Sequence, residues 1–206
     1  ARHLIDPARL MDSAVRVYGP EEVERSYGTV IGIDESRVMR SSDEMVLRLG
    51  GRPLTFIDTP GHARHHHCIW DERTRGWFTG DTFGLSYREF DTARGAWIMP
   101  TSTPIQFDPI ALRASIGRLL EREPRCMYLT HYSRVSDVPR LAALLLAQMD
   151  AMVALALRLE HAHDRHAALV RGLGEIHRAS LREHGCTLGD AQIDEMLALD
   201  LELNAQ

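Results

Sequence analysis

The sequence predicts an α+β chain, and three observations carry that expectation. Short β-rich runs pair as two hairpins between residues 45 and 79, an amphipathic helix leads from them to a further buried strand ending at Thr130, and beyond residue 136 the pattern is helical throughout. The expected division is a mixed domain over 1–136 and a helical extension over 137–206.

The elements follow in order. Asp6 as N-cap, Pro7 at the first helical position and Leu10, Met11, Val15 and Val17 behind them predict a helix over 6–18, ended by Gly19-Pro20. Glu21–Tyr27 adds a short helical turn. From about Val30 to Ile57 the residues favour short β runs. Met45–Leu49, Gly50-Gly51 and Leu54–Ile57 read as a hairpin, and Cys68–Trp70, a turn over Asp71–Gly76 and Trp77–Thr79 as a second. Residues 85–107 read as loop. Asp108-Pro109 opens a helix with Leu112, Ile116, Leu119 and Leu120 on one face. Met127–Thr130 reads as a buried strand ending at His131. Leu141, Leu145, Met149, Met152, Leu155 and Leu159 then mark an amphipathic helix over 138–160, its stripe serving as core or as a homodimer face. A second helix is expected from His163 to His184, and a third after Thr187-Leu-Gly-Asp190, which resembles a capping box.

Composition narrows the chemistry. All 24 basic residues are arginine, which excludes a Schiff-base lysine and a P-loop lysine. The net charge of −5, with no basic stripe, argues against a nucleic-acid partner. No uninterrupted apolar run of eighteen residues and no signal-peptide pattern argue against a membrane partner. The three cysteines, Cys68, Cys126 and Cys186, lie far apart without C-x-x-C, so a reducing, cytoplasmic setting is expected. Histidine is abundant, with 11 residues in clusters, and the chemistry is therefore sought among His, Asp, Glu, Cys, Tyr and Arg.

Three segments place a metal-capable side chain just after a strand: Thr59-Pro60-Gly61-His62, Thr79-Gly80-Asp81 and Thr130-His131. Singly, a Gly-Asp after a strand is usually a turn, and a histidine at a strand end is usually a hydrogen-bonded structural residue. Together, two imidazoles and one carboxylate from separate strand ends suit zinc or iron, the carboxylate being able to bridge two ions. His66, four residues after His62, is expected to support a ligand or the loop. Cys68 reads as a small buried residue. Tyr87, Trp97 and Phe107 either line a pocket or pack on their own scaffold, and Tyr132 points into the site or packs behind it.

These three motifs in this order, with Pro100–Pro109 and the Ala114-Ser115 pair in the following helix, resemble the metallo-β-lactamase-fold superfamily, in particular its glyoxalase-II-like hydrolases. The resemblance covers roughly residues 1–136. It implies a metallo-β-lactamase-type αββα four-layer sandwich, lacking part of its first half in this chain and followed by the helical extension, that holds two divalent metal ions, zinc first, with iron or manganese as alternatives. It also implies that His62 binds one ion, Asp81 bridges both and His131 binds the second. A metal-bound hydroxide is then the nucleophile toward an ester, thioester or lactone carbonyl, with Asp81 as the catalytic residue positioning it. Two alternatives stay open: a mono-iron sulfur or oxygen enzyme on the same fold, and a non-catalytic binding module.

The departure from the family is its leading H-x-H-x-D-H signature, the source of four further ligands, which has no counterpart before His62. His161-Ala-His163-Asp164-Arg-His166 is the one look-alike; its Asp stands one place early in a helical stretch, and it reads as a solvated helix junction. Either the chain is the later part of a longer protein, which the start without methionine favours, or it is a relative that has lost two-metal binding. Taken alone, the polypeptide is expected to bind zinc weakly and to hydrolyse nothing measurable.

Overall fold

A computed structural model describes residues 2–102 and 106–206, leaving aside the side chains of Val17 and Tyr18. The chain divides into two compact units, 1–42 and 43–206. The first holds helices α1 (Arg2–Ile5), α2 (Ala8–Tyr18) and α3 (Pro20–Tyr27) and a 3-10 turn at Glu35–Arg37. Asp6 Oδ1 accepts from the Ala8 N–H at 3.1 Å, but Pro7 rather than Asp6 takes the N-cap place, one residue later than expected, and a short helix precedes it. No strand forms over 30–44, where short β runs were expected. Val30, Ile31 and Ile33 are exposed, so the β-branched residues there have no partner strand to pack on.

The second unit is built on one six-stranded sheet in sequence order, β1 (Met45–Leu49), β2 (Arg52–Asp58), β3 (His67–Asp71), β4 (Gly76–Gly80), β5 (Cys126–Leu129) and β6 (Arg134–Val135). The first four strands form an antiparallel meander; β5 then lies parallel to β4 after a crossover through α4 (Pro109–Leu120). Asp108 caps α4 by accepting from the Ile110 and Ala111 N–H groups, each at 3.0 Å, and Pro109 takes the first helical position.

Alternation of side chains sorts the sheet into two faces. Ile57, Cys68, Trp70, Trp77, Met127 and Leu129 point to the face covered by α4 and α5 (Val138–Arg158), forming one core with Leu112, Ile116, Leu119, Leu141, Leu145 and Met149. The Trp77 indole N–H donates to the Leu119 carbonyl at 2.9 Å, so this fully buried ring keeps no unmet donor. The opposite face carries a cross-strand apolar row of Met45, Phe56, Ile69, Phe78 and Tyr128, with Phe78 44% exposed.

The change of character after residue 136 falls inside the second unit. Helices α5, α6 (Arg165–His184) and α7 (Asp190–Asn204) share a second core with the 85–99 loop, through Leu85, Phe90, Trp97 and Met99. The loop has no sheet of its own to cover it, so the helices supply its apolar surroundings. The stripe on α5 is core: Leu141, Leu145, Met149, Met152 and Leu155 are buried. This helix is long and apolar enough, by length and composition, to cross a membrane. The α7 start differs from the expected Thr187–Asp190 box. Gly189 is the N-cap, and the Gln192 side chain reaches back to its N–H at 3.2 Å.

Candidate metal centre

The topology brings the three motifs to one edge of the sheet. Strand β3 is antiparallel to both β2 and β4, so β2 and β4 run the same way, and β5 is parallel to β4. The chain therefore leaves β2, β4 and β5 at the same end, where His62, Asp81 and His131 follow.

Each turn is shaped by its neighbours. Gly61 has φ +133°, and a Cβ there would stand 2.3 Å from the Leu112 main-chain nitrogen, so the turn before His62 packs directly on α4. Ser115 on α4 donates its hydroxyl to the Pro60 carbonyl at 2.7 Å, and the Asp108 N–H donates to the Gly61 carbonyl at 2.8 Å. Gly80 has φ +48°, and a Cβ would meet the His66 ring at 2.6 Å. Glycine at 80 thus gives His66 room to lie behind the Asp81 turn. Of the Pro100–Pro109 stretch, Thr103–Ile105 lie outside the described residues.

The resulting arrangement has Asp81 at its centre. His62 Nε2 lies 3.6 Å from Asp81 Oδ2, and His131 Nε2 lies 3.6 Å from Asp81 Oδ1. Both separations exceed a hydrogen bond. Two donors held at about 2.1 Å from one zinc ion, at an angle between tetrahedral and trigonal, stand roughly 3.4–3.6 Å apart. Asp81 Oδ1 is buried and meets no hydrogen-bond partner, a costly state for a carboxylate oxygen and one that a cation relieves. The His62 Nδ1 faces the Thr101 hydroxyl at 3.0 Å and the Thr101 carbonyl at 3.3 Å. With Nδ1–H donated to that carbonyl, the Nε2 lone pair is directed to the Asp81 side.

His66 stands behind the turn and takes no part in either pair. Its Nε2 accepts the Asp81 main-chain N–H at 3.2 Å, which leaves Nδ1–H to donate to the Thr82 hydroxyl at 3.0 Å or the Thr59 hydroxyl at 3.2 Å. Burial pushes the His66 pKa down to about 4, so the ring is neutral at pH 7 and keeps its accepting nitrogen. Cys68 adjoins the same threonines, and burial pushes its thiol up to about 11; it is a packed side chain, not a nucleophile. Trp97 is fully buried in the second core. Tyr132 turns to donate its hydroxyl to Asp91 at 2.6 Å, with the Arg88 guanidinium over its ring. The His161–His166 segment forms an exposed junction between α5 and α6, with His166 beside Glu202.

Among the described residues no group of three or more His, Cys, Asp or Glu side chains is arranged to hold one ion. The three side chains stand as two pairs, His62 with Asp81 and His131 with Asp81. Sequence reasoning missed Thr101, and missed the reach of α7 to this edge: Asp200 accepts from the Tyr87 hydroxyl at 2.5 Å and lies within electrostatic range of His131. Burial raises the Asp200 pKa. Neither contact has a sequence signal, since the partners stand 39 and 113 residues apart.

Comparison with known proteins bears on the same edge. The metallo-beta-lactamase superfamily model matches residues 2–131. The metallo-beta-lactamase fold-containing protein ST1585 of Sulfurisphaera tokodaii is 29% identical over 129 residues, covering 62% of this chain and 45% of its own length. The chain thus spans a little under half of the curated relative it matches. Two solved structures share the fold. The archaeal superfamily protein ST1585 from Sulfolobus tokodaii has a TM-score of 0.57 at 23% identity, over 88% of this chain and 67% of that one. The family protein TTHA1429 from Thermus thermophilus has a TM-score of 0.58 at 20% identity, over 95% and 63%. A family model that covers more than half of the chain, together with three strand-end motifs gathered about one carboxylate, establishes that this chain belongs to the metallo-beta-lactamase superfamily.

Proposed function

We propose that the chain carries His62, Asp81 and His131 as three ligands of a two-metal centre, and that the centre serves a glyoxalase-II-like hydrolase acting on an ester, thioester or lactone. The observation that carries this reading is the placement of Asp81, whose two oxygens each face a different imidazole at 3.6 Å. A divalent cation held there supplies a lowered pKa for water, toward about 7, and positive charge for a developing oxyanion. Zinc suits the His/Asp donors best, and iron or manganese suits them too.

The chain's own residues have distinct tasks. Asp81 holds the two half-sites at a fixed separation. His66 fixes the Asp81 backbone, and Thr101 fixes the His62 tautomer. Trp77, Cys68 and Thr79, buried beneath the strand ends, give these turns a rigid base.

The test is a panel of thioester, ester, lactone and phosphodiester substrates with zinc-reconstituted protein, its His62→Ala and Asp81→Ala variants, and metal analysis of each. If the reading holds, Asp81→Ala loses zinc at both half-sites and His62→Ala at one, and whatever carbonyl hydrolysis the parent chain shows is lost in both. Undiminished zinc in either variant, zinc retained at any site in Asp81→Ala, or hydrolysis that survives either replacement contradicts it, and folding and partner binding unchanged in both mark a non-catalytic module.

A further inference from the structure

The last helix meets the edge of the site at two places, four residues apart. Asn204 Oδ1 accepts from the Ser102 N–H at 2.8 Å and from the Ser102 hydroxyl at 2.9 Å. Ser102 follows Thr101, whose hydroxyl and carbonyl stand against His62 Nδ1. One turn earlier, Asp200 accepts from the Tyr87 hydroxyl. Tyr87 follows Ser86, whose N–H donates to the His131 carbonyl at 3.2 Å. Positions i and i+4 share one face of a helix, so a single rod spaces the two loops. That rod is anchored independently of any ligand, because Ile193, Leu197 and Leu201 are buried in the second core.

We propose that α7 is a brace for the two imidazoles: Asn204 sets the His62 ring through Ser102 and Thr101, and Asp200 sets the placement of His131 through Tyr87 and Ser86. The proposal rests on the reading of these histidines as metal ligands, and it adds two positioning residues outside the three strand-end motifs. The physical basis is the usual dependence of an imidazole ligand on what holds its other nitrogen and its backbone. Ser102 donates twice to one side-chain oxygen, so losing that oxygen frees the segment that presents the Thr101 carbonyl to His62. Toward Ser102, Asn204 acts only as an acceptor. An aspartate in its place keeps both bonds, and a leucine of similar shape keeps neither.

The experiment uses the full chain, metal-free and 15N-labelled, with long-range proton–nitrogen spectra reporting the tautomer of His62 and amide shifts reporting the His131 backbone. Asn204→Leu is expected to convert His62 from the Nδ1–H form to a mixture while His131 stays unchanged, and Asn204→Asp to restore the parent spectrum. Asp200→Leu and Tyr87→Phe are expected to move the His131 signals and leave His62 in place. On adding zinc chloride, affinity at the His62 half-site is expected to fall about 10- to 100-fold in Asn204→Leu. An unmoved His62 in a folded Asn204→Leu protein overturns the proposal, as does an equal response of both histidines to every variant, which marks a general loosening of α7. Should Asn204→Leu fail to fold, Ser102→Ala removes only the hydroxyl bond and is expected to shift His62 in the same direction by less; no shift overturns the brace. Zinc that moves neither ring in the unmodified chain contradicts the metal reading, while the metal-free spectra still decide the brace.

Discussion

His177 makes the second core sensitive to acid. The side chain is fully buried, its Nδ1–H donates to Gln148 Oε1 at 3.0 Å, and the Gln148 amide in turn donates to the Ile98 carbonyl. Its Nε2 meets no partner and the ring lies edge-to-face on Trp97, 5.9 Å between centroids. Protonation would put a charge and an unmet donor in an apolar enclosure, and burial accordingly pushes the pKa from 6.5 down to about 4. The unfolded chain takes up this proton near pH 6.5 while the folded chain does not until about 4, so between those values the unfolded state binds more protons. Stability is therefore full above pH 6.5 and falls as the pH drops toward 4, at about 1.4 kcal/mol per unit, for a total of roughly 3 kcal/mol. The perturbation is His177→Gln, which keeps a donor for Gln148 and removes the titration. Urea midpoints at pH 7.5 and pH 4.5 give the comparison, with the variant losing about 2–3 kcal/mol less than the parent over that interval. Parallel losses in the two proteins would refute the assignment of this acid sensitivity to His177.

Other expectations concern packing around the same scaffold. Gly61→Ala forces a Cβ to 2.3 Å from the Leu112 nitrogen at φ +133°, and is expected to cost at least about 2 kcal/mol in a thermal or urea melt. Arg52→Met leaves the Asp71 carboxylate without the guanidinium that holds its pKa well below the usual range; a lower urea midpoint at pH 7 is expected, the difference shrinking in acid as the lone carboxylate protonates. Cys68 and Cys126 are buried and Cys186 is half-buried, so a thiol reagent is expected to label Cys186 in the native protein and all three after denaturation.

The sheet was legible because its hairpins carry local signals: Gly50-Gly51 between two apolar runs, and the Asp71–Gly76 turn between tryptophan-bearing strands. The helices were legible from apolar stripes and from Asp108-Pro109. Over 30–44, β-branched residues suggested strands, but propensity forms none without a neighbouring strand. The proximity of His62, Asp81 and His131 was implied by family motifs and is explained by topology, since three strands running the same way end at one edge. The supports of the site had no such trace. Thr101, Ser102, Asp200 and Asn204 are ordinary polar residues in a loop and a helix, and only the packing of α7 on the 85–102 segment gives them partners. The late helices resembled an appendage in sequence because their apolar faces say nothing about what they cover, which is the loop carrying Trp97 and Thr101.

The central claim is that Asp81 joins two half-sites, one completed by His62 and the other by His131. Titrating zinc into the 15N-labelled chain while following both imidazoles tests it most directly, with circular dichroism confirming that each variant is folded. The account predicts saturable shifts at both rings, loss of both in Asp81→Ala, and survival of the His131 response in His62→Ala and of the His62 response in His131→Ala. A response that persists at either ring in Asp81→Ala would contradict it, and so would a silent His131 in His62→Ala, which would place both imidazoles on one ion.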